Sequence, residues 1–361
     1  MARVLVAVTG GVAAVKAPHL LRLLRREGHE VRALATPRAL EFVTPLSLAV
    51  ASGGEVATEE AWFRPDGRAL HIELARWAEV VLVAPATADA LAKAALGLAD
   101  DLLSATLLAG AKRVAWAPAM NEAMWLAPQT QAHVRRLEEL GHAFFGPAYG
   151  PLAAVGEGEG WGRMLEPEEL VERLRAFLAP KDLSGLRLLV SAGPTREYLD
   201  PVRFLSNPSS GRMGYAVAEA ARDRGAEVVL VSGPTALPDP WGVEVVRVES
   251  ALEMRKALLD RYPWAQAVVM AAAVADYRPA ETLKDKEPKA EAEKLLRLVP
   301  NPDILRELGE RKEGRVLVGF GSPENEVTLI LRDGRVVELP RLSKREVAHR
   351  ILDFVKELWK R

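Results

Sequence analysis

VLVAVTGGVAAVK, residues 4–16, opens with five consecutive apolar residues, breaks at Thr9-Gly10-Gly11 and resumes as a helical pattern. An unbroken apolar run reads as a strand buried on both faces, the mark of a parallel sheet covered by helices. RLLVSAGPTR, residues 187–196, repeats the plan with its break at Gly193-Pro194-Thr195. A strand-turn-helix junction gathers unpaired N–H groups at the positive end of a helix dipole and so offers a seat for phosphate. Two such junctions predict two nucleotide-binding domains. Neither reads G-x-G-x-x-G, so the dinucleotide fingerprint is absent and an NAD-dependent dehydrogenase is a poor reading.

Outward from the first turn, a helix is expected over Ala13–Glu27 and a strand over Glu30–Ala35, a βαβ opening. A strand at Glu79–Val83 runs into Ala84-Pro85-Ala86-Thr87, a helix continues to Leu107, and a strand at Val114–Ala117 runs into Pro118-Ala119-Met120-Asn121. Polar groups therefore collect at strand C-termini, where open parallel sheets bind ligands. The Gly-rich stretch Pro151–Met164 reads as a mobile loop, and Ala179-Pro180-Lys181-Asp182 as a domain linker. The second half has strands at Leu186–Val190, Glu227–Val231 and Ala267–Ala272, with a helix at Gly214–Arg224. Its long insert, Arg203–Gly214, is too rich in donors for an ordinary loop.

The chain has 361 residues, 49% of them hydrophobic, enough for two cores. A net charge of −1 gives no field of one sign to attract nucleic acid or a membrane surface. No signal segment or run of about 18 apolar residues is present, so a cytoplasmic location is expected. With no cysteine, disulfides, Cys-ligated zinc and a thiol nucleophile are excluded.

TGGVAAVK, HIELARWAEVVLVAPATAD, PAMNEAMW and GEGWGRM in the first half, with SAGPTREYLDPVRFLSNPSSGRMG, AAVADYRP and NPDIL in the second, occur in order over nearly the whole chain. On these motifs the chain resembles the bifunctional phosphopantothenoylcysteine decarboxylase / phosphopantothenate-cysteine ligase family of coenzyme A biosynthesis. The resemblance implies two doubly wound, Rossmann-like α/β domains, residues 1–181 and 182–361. It implies FMN in the first, with its phosphate at Gly10 and Gly11 and further contacts from Pro85, Ala86, Thr87, Asp89, Ala119 and Met120. In the family the flavin oxidises the substrate thiol to a thioaldehyde, the carboxylate leaves as CO2, and the flavin returns the electrons. His71 would be the acid/base group and Asn121 would bind the substrate carboxylate. Taken alone, His71 reads as a surface or satisfied core residue.

For the second half the resemblance implies CTP-dependent activation of 4'-phosphopantothenate as an acyl nucleotidylate, which the amine of cysteine then attacks. Asn207 would contact that intermediate and Lys286 would serve the triphosphate. Asp276 would be a nucleotide- and Mg2+-associated carboxylate. Arg203 would clamp anions, Gly193, Pro194 and Thr195 would cradle phosphate, and Phe320 would face the base. Ser209, Ser210, Gly211 and Lys289 complete the expected nucleotide contacts. The bland alternatives are a solvated charge run at Lys284, Lys286 and Lys289 and a helix cap at Asp276. Trimeric packing of flavin domains and pairing of ligase domains are implied, hence a homo-oligomer.

The chain departs from the family pattern in three places. The substrate-covering loop commonly carries a cysteine where Ala154, Val155 and Gly156 stand, so the reduction must use another proton donor, such as water, or stop at the oxidised product. Asp89 replaces the usual Asn. After the strand at Val316–Phe320 comes an apparent hairpin, Glu326–Leu331 with Arg335–Leu339, and no crossover helix fits between. Either part of the triphosphate grip is lost, or a segment between Phe320 and Gly321 is absent from the sequence in hand, and the second is favoured. Rival readings are a flavin-bearing regulatory protein and a decarboxylase of peptide C-terminal cysteines.

Overall fold

The computed structural model describes residues 1–360 except 154–155, 157, 287–294, 321–327, 331–335 and 339–341. It falls into two compact units, Met1–Phe177 and Leu178–Arg361, divided inside the last turn of helix Pro167–Leu178.

The first unit carries a parallel six-stranded sheet of β1 (Arg3–Val8), β2 (Glu30–Ala35), β3 (Val56–Ala57), β4 (Val80–Ala86), β5 (Val114–Pro118) and β6 (Ala143–Phe144), in spatial order 3-2-1-4-5-6. This is the doubly wound order, whose switch point lies between β1 and β4. Val4 to Ala7 pair with Val80 to Val83, and every residue of β4 is buried. Helix Ala17–Arg26 covers the sheet with Leu20, Leu21 and Leu24, all fully buried. Each such burial is worth about 1.5–3 kcal/mol.

Three local expectations are corrected. The helix expected over Ala13–Glu27 is a 3-10 turn, Val12–Lys16, followed by an α-helix from Ala17. Pro18 has no N–H to continue an α-helical ladder through that point, but it sits well in a first turn. The single helix expected to run to Leu107 is two, Ala88–Leu96 and Leu102–Leu108. Left-handed Gly97 closes the first, and an Asp101/Ser104 capping box starts the second. The expected loop Pro151–Met164 instead contributes to an antiparallel ribbon of β7 (Ala148–Pro151) and β8 (Glu159–Arg163).

The second unit has a parallel five-stranded sheet among β9 (Arg187–Ala192), β10 (Arg196–Tyr198), β11 (Phe204–Ser206), β12 (Glu227–Ser232), β13 (Glu244–Arg247), β14 (Ala267–Met270), β15 (Tyr277–Pro279), β16 (Leu298–Pro300) and β17 (Val316–Gly319). The sheet order is 13-12-9-14-17, so its switch point lies between β9 and β14. Pairs β10/β11 and β15/β16 form antiparallel ribbons from the inserts. The expected hairpin near the C-terminus is β18 (Thr328–Ile330) paired with β19 (Val336–Glu338). The Phe320–Gly321 junction lies at the edge of the described residues, so its geometry is outside them.

Helices Arg212–Asp223 and Lys344–Trp359 pack on one face through Val217, Ala221, Ile351 and Leu352. Met254, Leu258 and Leu308 cover the other. The C-terminal helix is also tied to the start of the unit. Asp182 receives Arg224 Nη2 at 2.8 Å and Lys356 Nζ at 2.8 Å. The Arg224 hydrogen bond, with help from Lys356, holds the Asp182 carboxyl well below the usual carboxylate range.

Candidate functional sites

At the first switch point, the turn after β1 and the end of β4 are joined by one hydroxyl. Buried Thr9 donates from Oγ1 to the Pro85 carbonyl at 2.7 Å and accepts the Thr87 N–H at 3.2 Å. Thr87 in turn caps helix Ala88–Leu96 by accepting the Ala90 N–H. Gly10 lies so close to the loop after β2 that a Cβ on it would stand 2.3 Å from Arg38 Cβ. A cleft of about 500 Å³ opens here, lined by Thr9, Gly10, Arg38, Thr87, Asp89 and Lys93 among others. This backbone-lined concavity at a strand end fits the phosphate end of a flavin mononucleotide. Pro85 and Ala86 are buried within β4, while Gly11 extends beside Thr87.

The end of β5 forms a neighbouring part of the same edge. Ala119 N–H donates to the Ala86 carbonyl at 3.0 Å and Met120 N–H to the Gly162 carbonyl at 3.0 Å. Asn121 caps helix Glu122–Leu126, its side-chain oxygen accepting the Ala123 N–H at 2.8 Å. Gly162 has φ +131°, and a Cβ on it would fall 2.0 Å from the Met120 carbonyl. Its glycine therefore serves a close approach rather than mobility. Glu122 completes the latch by accepting the Trp161 N–H at 2.8 Å. The sequence reading missed Glu122, although it directly follows Asn121.

His71 belongs to a different element, helix Leu70–Trp77, and does not line the cleft; Asn121 does not line it either. Trp62 Nε1–H donates to His71 Nδ1 at 3.1 Å with the rings edge-on. That bond leaves the neutral imidazole's proton on Nε2.

In the second unit the turn after β9 is packed backbone against backbone. Gly193 and Gly211 both have left-handed φ, and a Cβ on Gly233 would meet the Pro194 carbonyl at 1.8 Å. Gly211 also precedes helix Arg212–Asp223 and supplies no side-chain cap, leaving its first turn open to an anion. Ser209 Oγ accepts the Gly211 N–H at 3.3 Å, and Ser210 is exposed beside it.

The loop after β14 is fixed from three directions. Pro194 bridges to Ala273, and Thr195 Oγ1 accepts the Ala275 N–H at 3.0 Å. Asn207 Nδ2 donates to the Ala273 and Val274 carbonyls at 3.4 and 3.1 Å. Asn301 donates through Nδ2 to the Ala275 carbonyl at 2.8 Å and through its backbone to the Asp276 carbonyl at 2.7 Å. Asp276 thus stands exposed on a rigid loop, its carboxylate without a partner among the described residues. It precedes β15, so the helix-cap alternative falls.

Other expected ligase residues have structural partners. Arg203 forks onto Asp200 through Nε at 2.7 Å and Nη2 at 2.5 Å. Asp200 has no side-chain exposure; although burial opposes its charge, Arg203 and the Val202 and Arg203 backbone N–H groups hold its carboxyl at about 2. Phe320, directly after β17, is half-buried and packs against the core. Lys284 and Lys286 are exposed, and Lys289 lies outside the described residues. Among the described residues no group of three acidic, His or Cys side chains forms a metal cage, and no helix is long and apolar enough to cross a membrane.

The flavoprotein family matches residues 1–179, and the DNA/pantothenate metabolism flavoprotein C-terminal domain matches 183–322 and 318–358. The coenzyme A biosynthesis bifunctional protein CoaBC of Vibrio cholerae is 43% identical over 91% of this chain and 83% of its own. CoaBC of Bacillus subtilis is 38% identical over 99% of this chain and 97% of its own. The latter alignment spans 396 positions against the 361 residues here, so that relative carries residues this chain lacks. Among solved structures, the FMN binding protein AtHal3 is 38% identical over 49% of this chain and 96% of its own, with a TM-score of 0.42. The flavoprotein half, the ligase half and their order within one polypeptide thus agree, and the chain belongs to the CoaBC family of bifunctional coenzyme A biosynthesis proteins.

Proposed function

We infer that this chain ligates 4'-phosphopantothenate to cysteine in its second half and decarboxylates the resulting phosphopantothenoylcysteine in its first, yielding 4'-phosphopantetheine. The observation that carries the reading is the tandem of both family domains in one chain, matched by relatives along nearly its whole length. The same tandem disfavours a flavin-bearing regulatory subunit or a peptidyl-cysteine decarboxylase, neither of which needs a ligase half. We place the functional boundary at 181/182.

FMN, when bound, supplies the two-electron oxidation of the substrate thiol that makes carboxylate loss feasible. Gly10 and Gly11 allow its phosphate close approach to the backbone, while Thr9 and Thr87 hold the turn. Pro85, Ala86, Ala119 and Met120 form the strand-end wall, with Asp89 at its rim. His71 exchanges a proton at Nε2, because Nδ1 is engaged by Trp62. Asn121, its oxygen committed to Ala123, offers amide hydrogens to the substrate carboxylate.

In the ligase half, Asn207 ties the Ser206–Gly211 segment to the loop carrying Asp276 and so brings the nucleotide and acyl groups to one place. Gly193, Pro194, Thr195, Ser209, Ser210 and Gly211 line the anion end. Lys286 and Lys289 neutralise triphosphate charge, and Arg203 acts through its pairing with Asp200. Asp276 alone is no metal cage, which suits Mg2+ held chiefly by nucleotide phosphates and water. CTP is the proposed nucleotide, a homo-oligomer of trimeric flavin and dimeric ligase domains the proposed assembly, and the cytoplasm the proposed setting.

The test is product mass spectrometry after giving the purified full chain 4'-phosphopantothenate, cysteine, CTP, Mg2+ and FMN. 4'-Phosphopantetheine is expected. Phosphopantothenoylcysteine alone would remove the decarboxylase from the reading, and neither product would overturn it.

A further inference from the structure

The cleft at the first switch point has an uneven charge distribution. On one wall Lys93 faces three carboxylates, Asp101 at 2.8 Å, Asp100 at 3.3 Å and Asp89 at 3.7 Å, leaving a net charge of −2. Asp89 also occupies the first turn of helix Ala88–Leu96, where its own carboxylate meets the positive end of the dipole. The turn after β1 leads into a 3-10 turn, Val12–Lys16, that runs directly into helix Ala17–Arg26, and a helix N-terminus supplies only about half a positive charge. Backbone alone therefore gives a dianionic phosphate weak compensation here. Across the cleft stands Arg38, exposed, its Cβ packed against Gly10. Lys93 and Arg38 are the two cations lining the cleft, and among the described residues Arg38's guanidinium has no ion-pair or hydrogen-bond partner.

We propose that Arg38 binds the terminal phosphate of the flavin and is the residue that makes this half choose a flavin monophosphate over the uncharged flavin. A planar guanidinium can meet two phosphate oxygens at once, and the acidic Lys93 wall disfavours the phosphate on the opposite side. The inference rests on the flavoprotein reading and adds to it the source of phosphate selectivity.

The test is titration of the deflavinated full-length protein with FMN and with riboflavin, followed by flavin fluorescence. The unmodified chain is expected to prefer FMN. Arg38→Ala should weaken FMN by roughly 10- to 100-fold and riboflavin by less than about threefold, the loss expected for one charge-assisted contact. Unchanged riboflavin affinity doubles as the control for an intact fold. Arg38→Lys should restore part of the FMN preference, and Asp89→Asn should tighten FMN by about threefold, as for a partly screened charge. Equal weakening of both flavins by Arg38→Ala, or no weakening of either, would overturn the proposal while leaving the flavoprotein reading standing. Failure of the unmodified chain to bind either flavin would overturn both.

Discussion

The first unit holds its ligand turn with a hydroxyl, Thr9 reaching Pro85 and Thr87 across the switch point. The second holds the equivalent turn by removing side chains, so that Gly193, Gly211 and Gly233 let backbone lie on backbone. Both sheets change direction at their first strand, so topology gives each unit the same crevice. The difference lies in what is lost when the turn is disturbed. A hydroxyl can be deleted at the cost of two hydrogen bonds, whereas a side chain added to a glycine contact displaces the backbone itself.

Adding one methyl group is accordingly the largest test of that contrast. Gly233→Ala should destabilise the second unit by about 3 kcal/mol and abolish ligation, with flavin absorbance retained. Separate ligation and decarboxylation assays, with a calorimetric scan, check this. Thr9→Val should cost about 1–3 kcal/mol in the first unit and weaken flavin binding while sparing ligation. Ligation surviving Gly233→Ala would break the comparison.

The loop contacts sharpen it further. Asn207→Ala should lower ligation kcat/KM by about 100-fold, as for removal of one positioned donor, without affecting decarboxylation. Asn207→Asp should be worse, because it would aim a carboxylate at the Ala273 and Val274 carbonyls. Equal rates for the two variants would count against the donor role. In the first unit, Trp62→Phe frees the His71 ring, and decarboxylation kcat should fall about tenfold with flavin affinity unchanged. A flavin titration alongside single-turnover kinetics separates these effects.

The smallest effect is a pH dependence confined to the first unit. His142 accepts the Trp116 Nε1–H at 3.0 Å, and burial holds its pKa below the ordinary histidine value. The unfolded chain therefore binds that proton more readily than the folded one. The associated stability is present above about pH 6.5 and is lost as pH falls through the folded-state value. His142→Gln should flatten this part of the first unit's thermal stability profile; a profile unchanged by the substitution would discard the assignment.

Continuous apolar runs made β1, β4, β9 and β14 legible, since strands buried on both faces leave little alternative reading. The polar segments at their ends were equally legible as ligand edges. The Pro151–Met164 ribbon was not, because glycine in sequence signals freedom, while Gly162 is there to let Met120 approach. Arg203 shows the same limit at the site: composition reveals a cation but not the buried Asp200 that engages it. Arg38, Glu122 and the full clamping by Asn301 likewise needed three-dimensional neighbours. The motif NPDIL had marked Asn301 without revealing which backbone groups it holds.

The bond from Lys356 to Asp182 spans 174 positions and brings the last helix of the second unit to its first residues. A unit whose two ends meet forms a closed module that can join another domain through either terminus. Such a module invites circular permutation, with a linker across residues 182 and 356 and new ends cut elsewhere. Trimming the last helix, by contrast, would undo the module at its beginning as well as its end.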